Sequence, residues 1–282
     1  MASPELTDTR APRVRQARRL ARRAFRAQQR QFLAEGAQAV REALRAAGDG
    51  VVVDEVFVTA EAAERHGELV TGAMAAGVTV TVASPAVLEA ISDTVTPQGL
   101  VAVCGFVDCP LGSVLAARPR LLALLAEVRD PGNAGSVVRA ADAAGADGAV
   151  FSAGSVDPYN GKVVRTSVGG IFHLPIVTGI PPLDVVGQVR EAGLQVLAAD
   201  ATGPVDLDEA ERSGLLARPT AWLFGNEAWG LSDELRGSAD AVVRIPIYGR
   251  AESLNLATAA ALCLYASARC LSDDRPVGGG AS

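Results

Sequence analysis

The stretch LLALLAEVRDPGNAGSVVRAADAAGADGAVF, Leu121 to Phe151, decides how the rest of the chain reads. Leu121 to Val128 is an almost continuous apolar run, the pattern of a strand buried on both faces of a parallel sheet. Arg129-Asp130-Pro131-Gly132-Asn133 has turn chemistry and leads into a helix over about 134–144, and Gly148 to Phe151 reads as the next strand. A strand, a helix and a second strand in this order form a βαβ unit.

The alternation continues downstream. Strands are expected at Leu174–Val177, Gln195–Ala199, Thr220–Phe224 and Val242–Ile245, with helices at 160–168, 183–192, 231–236 and 254–268. The fold class is α/β, with a doubly wound parallel sheet whose ligands belong beyond the carboxyl ends of the strands. Upstream, shorter strands at 56–58, 78–82 and 100–107 alternate with helices at 37–47, 60–75 and 85–91, which makes a second, small α/β domain. Residues 1–12 read as disordered and 13–31 as one amphipathic helix. The expected division is a basic arm over 1–31, a small α/β domain over 32–108, a linker over 109–120, the main domain over 121–271 and a flexible tail over 272–282.

Composition narrows the function classes. The chain has 282 residues and 49% hydrophobic content, enough for packed cores, with no apolar run of membrane-spanning length. A soluble, cytoplasmic protein is the expectation. Cys104, Cys109, Cys263 and Cys270 form no metal-binding spacing, so reduced thiols are expected, and His66 and His173 are the only histidines, so no metal is expected. No GxGxxG, P-loop or GxSxG is present, which weighs against a dinucleotide-dependent dehydrogenase or a serine hydrolase. The net charge is -6, yet residues 1–30 carry nine arginines against Glu5 and Asp8. A basic arm on an acidic body points to a polyanion partner such as a nucleic acid, contacted by Arg18, Arg19, Arg22 and Arg23.

Three strand ends carry similar chemistry. After the first, Asn133 stands at a helix start, fit to cap it or to face a crevice, with Arg139 a turn and a half beyond. After Leu223-Phe224, Gly225 permits close backbone approach by a ligand, and Glu227 follows. After Ile245-Pro246, a loop leads to Ser253, expected as a helix N-cap, then Leu254 and Asn255.

The segments NAGSVVRAADAAGA, LFGNEAWGL and IPIYGRAESLNLATAAA, in this order, resemble the three signature motifs of the SpoU/TrmH family of RNA ribose 2′-O-methyltransferases. Phe32 to Gly36 and the small α/β region resemble that family's L30e-like substrate-binding domain. The resemblance implies a fold of the SPOUT class with a C-terminal trefoil knot, a homodimer, and S-adenosylmethionine as cofactor. It places Gly225, Ile245 and Leu254 against the cofactor and Asn133, Arg139, Glu227, Ser253 and Asn255 at the catalytic centre. Arg165, in KVVRTSVGGIFHLPI, resembles a recurrent RNA-contacting arginine. Arg139 is expected to clamp a phosphate, since a guanidinium keeps its proton, and Glu227 to orient Arg139 or the loop around it. The implied substrate is 23S ribosomal RNA; the alternatives are a tRNA 2′-O-methyltransferase or an inactive RNA-binding homologue.

Overall fold

The computed structural model describes residues 5–94 and 96–271, so the flexible tail expected over 272–282 lies outside the described residues. The chain divides into two compact units, Met1–Val107 with Asp157–His173, and Asp108–Val156 with Leu174–Ser282.

The first unit is built on strands β1 (Gln31–Glu35), β2 (Val53–Val58), β3 (Thr79–Val82) and β4 (Leu100–Gly105), in the order β1-β4-β2-β3. Strand β4 runs antiparallel to both neighbours, and β2 pairs β3 in parallel. Aromatic packing holds Asp157–His173 to this unit rather than to the one flanking it in sequence. Tyr159 stacks on Phe106 with centroids 3.8 Å apart, and Phe32 packs on Tyr159 at 4.9 Å and Phe172 at 5.7 Å. The Tyr159 hydroxyl also accepts from Val107 N at 2.9 Å.

Two expectations for the N-terminal segment fail. Leu6, expected in a disordered stretch, bridges Ala83, with Leu6 N donating to Val82 O at 2.8 Å. The single helix expected over 13–31 is two helices, Pro12–Arg19 and Arg23–Gln29, followed by strand β1. Val14, Ala17 and Leu20 bury one side of the first helix, and the chain must then turn to bury Phe25 as well. Breaking a helix frees carbonyls, and the Arg26 guanidinium takes those of Leu20 and Ala21 at 2.8 and 2.9 Å. Arg26 is 4% exposed and pairs with Asp157 at 2.6 Å, so this arginine of the basic arm is structural.

The second unit contains a fully parallel sheet in the order β7-β6-β5-β10-β8-β11-β9. Its strands are β5 (Leu121–Leu125), β6 (Gly148–Phe151), β7 (Ile176–Thr178), β8 (Gln195–Ala199), β9 (Val205–Asp206), β10 (Thr220–Phe224) and β11 (Ala241–Arg244). Strands β5 and β10 are buried along their whole length, as their unbroken apolar runs require. The stretch expected to be a linker contains the helix Leu111–Ala116, whose Leu111 and Val114 join the core around β5 and β10. Its apolar residues outweigh the prolines that suggested a linker.

Helix Leu256–Leu271 closes this unit and is pinned by one buried hydrogen bond, from Trp222 Nε1 to Ser267 Oγ at 2.8 Å. Both side chains are fully buried. Removing the acceptor leaves an indole N–H without a partner, at a cost of about 1–3 kcal/mol. Ser267→Ala should therefore lower unfolding stability in urea by that amount, and adding Trp222→Phe should cost less than the sum of the two single changes.

Candidate functional site

A cleft of about 470 Å³ opens at the carboxyl ends of β8, β10 and β11 and is closed by the start of the last helix. Asn133, Gly225, Glu227, Ile245, Ser253, Leu254 and Asn255, named above from the sequence, all line it. The volume is that of a small-molecule site.

A chain of side-chain hydrogen bonds ties the three strand ends together. Asn255 Nδ2 donates to Asn133 Oδ1 at 2.9 Å, and Asn133 Nδ2 donates to Glu227 Oε1 at 3.3 Å. The Glu227 carboxylate also accepts from the amides of Asp130 at 3.1 Å and Arg129 at 3.2 Å. Glu227 therefore fixes the loop after β5, one of the two roles expected of it, and does not touch Arg139.

Local caps differ from the sequence reading. Helix Pro131–Ala143 begins three residues earlier than expected, because Asp130 is its cap and accepts from Asn133 N at 2.7 Å. The Asn133 side chain is thereby released toward the cleft. At the last helix the cap is Asn255, whose Oδ1 accepts from Ala257 N at 2.9 Å, and not Ser253, which lies in the exposed loop before it. Asn255 thus caps with its oxygen and reaches Asn133 with its nitrogen.

Gly225 is required by the chain's own backbone. A Cβ there would lie 2.5 Å from Gly230 C and 2.7 Å from Leu231 N. The loop Asn226–Gly230 is closed by paired backbone bonds of 3.0 and 2.9 Å, and Asn226 Nδ2 donates to Glu127 O at 2.8 Å.

Arg139 does not line the cleft. Six residues beyond Asn133 is about 240° of helical rotation, so the two project from different faces, and Arg139 is exposed. Arg165 stands in the first unit, its Nη1 3.5 Å from Glu35 Oε2 and largely buried with it. Arg18, Arg19, Arg22 and Arg23 are exposed on or beside the two N-terminal helices.

Asn226 and Asp200 were missed from the sequence, and both line the cleft. Asp200 directly follows Ala199, the last residue of β8, and Asn226 stands between Gly225, just past the end of β10, and Glu227. Burial pushes the Asp200 carboxyl up, but bonds from the Thr202 hydroxyl and amide, with Arg236 nearby, hold it below its ordinary value. Asp200 and Glu227 are the ionisable side chains lining the cleft, which favours a cationic ligand. Among the described residues no group of three or more His, Cys, Asp or Glu could hold a metal ion. All four cysteines are free, and burial pushes the Cys104 and Cys263 thiols up, which keeps them protonated. No helix of the described residues is long and apolar enough to cross a membrane.

Residues 120–265 match the profile of the SpoU rRNA methylase family. The chain belongs to this family. Residues 11–102 match an MRM3-like substrate binding domain. Among relatives, the chain is 33% identical over 234 residues to the Bacillus subtilis protein RlmP, named 23S rRNA (guanosine(2553)-2′-O)-methyltransferase, covering 83% of this chain and 87% of that one. Among solved structures of the family, an AdoMet-bound rRNA methyltransferase from Sinorhizobium meliloti is 31% identical with a TM-score of 0.80, covering 95% of this chain and 98% of that one. The SpoU methyltransferase AviRb from Streptomyces viridochromogenes, in complex with AdoMet, is 30% identical with a TM-score of 0.79, covering 92% and 98%.

Because the backbone of Gly230 and Leu231 occupies the space beside Gly225, Gly225→Ala should displace the loop that carries Asn226 and Glu227. A stability loss of about 1–3 kcal/mol is expected, read by denaturant unfolding. Acid should also destabilise this unit. Asp200 and Asp240 both have folded values lowered below the ordinary carboxylate range; for Asp240 the Arg190 side-chain bond leads and burial opposes it. Their contribution is present above the unfolded pKa and is lost as pH falls through the lowered folded values. Thermal melting should therefore drop as pH falls below about 4, and Asp240→Asn should flatten that drop.

Proposed function

We propose that this chain transfers the methyl group of S-adenosylmethionine to a ribose 2′-hydroxyl of RNA, with 23S ribosomal RNA as its substrate, in the cytoplasm. The observation that carries the reading is the cleft itself, where three separated segments meet through the Asn255–Asn133–Glu227 hydrogen-bond chain. The names and bound AdoMet of its relatives support it, as does the match of the N-terminal region to a substrate binding domain.

The residues present fit the cofactor. Ile245, Leu254 and the backbone around Gly225 offer apolar walls and peptide groups suited to an adenine, while Asp200 and Glu227 give the cleft negative charge that suits a sulfonium. When bound, S-adenosylmethionine supplies an activated methyl group, so the protein's main task is to position a hydroxyl and receive its proton. Asn133, Ser253 and Asn255 hold the reacting nucleotide at the cleft. Arg139, on the next face of its helix, clamps the phosphate of that nucleotide and orients the hydroxyl, whose proton passes to a phosphate oxygen. Arg165 and the exposed arginines of the N-terminal helices contact the RNA further along.

A trefoil knot at the cleft end of the sheet is what the family resemblance implies, and tight backbone packing there agrees with it. Loop 200–204 presses on β11, where a Cβ on Gly203 would lie 2.7 Å from Val242 O, and Arg244 Nη1 holds Gly203 O at 3.0 Å. Homodimerisation through this unit is supported by Leu262 and Tyr265, one turn apart on the last helix and 44% and 45% exposed.

Methyl transfer from labelled cofactor to 23S rRNA and tRNA transcripts tests the reading; faster modification of tRNA would overturn the choice of substrate. Arg139→Ala should lower single-turnover methylation by about 100-fold or more while cofactor affinity by calorimetry stays within about twofold. Loss of cofactor binding alone would count against a phosphate-clamping role. Asp200→Asn should weaken S-adenosylmethionine about tenfold and the neutral S-adenosylhomocysteine much less. Equal weakening of both would show that the charge of the cleft is not what selects the sulfonium.

A further inference from the structure

The helices Pro12–Arg19 and Arg23–Gln29 enclose a groove of about 540 Å³ in the first unit, lined by none of the residues that line the cleft. Arg15, Gln16, Arg19, Phe25, Gln28 and Gln29 line it. The Arg19 guanidinium carbon lies 3.9 Å from the Phe25 ring centroid, so a planar cation rests against the aromatic ring. Phe25 is itself buried in the core beneath. One side of the Arg19 guanidinium is therefore covered by Phe25, and Arg19 also lines the groove.

Apart from Pro12, the remaining lining is polar. Gln16, Gln28 and Gln29 are exposed and carry no side-chain hydrogen bond among the described residues. An amide offers a donor and an acceptor side by side, the pattern that matches the edge of a nucleobase. Between Thr9 and Ala34 there is no Asp or Glu. Of the acidic groups near these helices, Glu55 is matched by Arg13 at 3.1 Å and Asp157 by Arg26 at 2.6 Å, Asp8 lies 4.0 Å from Arg10, and Asp54 accepts from the Gln31 amide at 2.7 Å. The groove thus combines an arginine platform, free amides and an uncompensated positive surface.

We infer that this groove is a subsite for an unpaired nucleobase of single-stranded RNA. The base stacks on the face of Arg19 turned away from Phe25, and the glutamine amides take its edge. Arg15, Arg18, Arg22 and Arg23 carry the flanking phosphates. Bases within a duplex have no free face, so the site takes loops, bulges or ends. An acidic peptide would satisfy the arginines but leave the stacking face and the amides unused. The choice of RNA as the polymer rests on the function proposed above; the stacking chemistry rests on the groove alone.

The test is fluorescence anisotropy on the full chain with a short oligouridylate RNA and with the same strand made abasic. Arg19→Lys keeps the charge and removes the plane, and Gln28→Ala removes an exposed amide without touching the core. Stacking of one base implies a loss of about tenfold for Arg19→Lys and a smaller loss for Gln28→Ala, with the salt dependence unchanged because no phosphate contact is removed. The abasic strand should bind wild type as weakly as the base-bearing strand binds Arg19→Lys. Wild-type affinity in Arg19→Lys, or equal binding of the abasic strand, would overturn the inference in favour of phosphate tracking alone. Displacement of the RNA by polyglutamate at equal charge would overturn it in favour of a general polyanion surface. S-adenosylmethionine affinity, measured in parallel, separates the two readings: base-dependent RNA binding without cofactor binding would leave the groove standing and remove the proposed function.

Discussion

The site depends on one carboxylate that holds backbone rather than ligand. Glu227 accepts from the amides of Arg129 and Asp130 and from the side chain of Asn133, and Asn133 in turn accepts from Asn255. These bonds connect the ends of β5 and β10 and the start of the last helix, none of which is adjacent to another in sequence. Each bond alone is worth about 1 kcal/mol. Their value lies in fixing relative position, since a cleft made from independent loops would otherwise have to be ordered at the moment of binding. The same economy appears at Asn255, which caps a helix with one atom and joins this chain with another.

Glycine plays a different part at each place where backbone crowds. Gly225 and Gly203 are both sites where an added Cβ would strike main-chain atoms within 3 Å. At the first, a tight loop folds back on the end of β10; at the second, the segment after β8 lies against β11. Gly225 lines the cleft and Gly203 presses on the β11 backbone either side of Val243, which also lines it, so main chain packed on main chain helps set its shape. That explains how a site with few ionisable groups can still be well defined.

Much of this was legible in the sequence for a definite reason. Strands such as Gly148–Phe151, Gln195–Ala199 and Thr220–Phe224 are buried on both faces, so their apolar runs carry their own boundaries. Strand β1 had no expectation of its own and only its first residue, Gln31, fell within the expected helix 13–31, while the break at Leu20 is stabilised by Arg26, six residues away. A tertiary contact of that kind leaves no local signal. The caps were misplaced by two or three residues for a similar reason. Asp130 and Asn255 compete with Asn133 and Ser253 as cap residues, and the outcome depends on what else each side chain can reach. Asp200 and Asn226 went unread although each follows a buried strand, because a lone polar residue at a strand end has no pattern beyond its position.

Strand β10 lies between β5 and β8, pairing Thr220 with Leu121 on one side and Gln195 on the other. During synthesis β5, β6 and β7 emerge well before the strand that completes the centre of the sheet. Until Thr220–Phe224 arrives, Leu121–Leu125 presents an unpaired and wholly apolar edge, the kind that recruits strands from other chains. Closing so long an intervening loop is slow. The vulnerability of this protein to misassociation is therefore set by a waiting time in its assembly, one that the stability of the finished sheet does nothing to shorten.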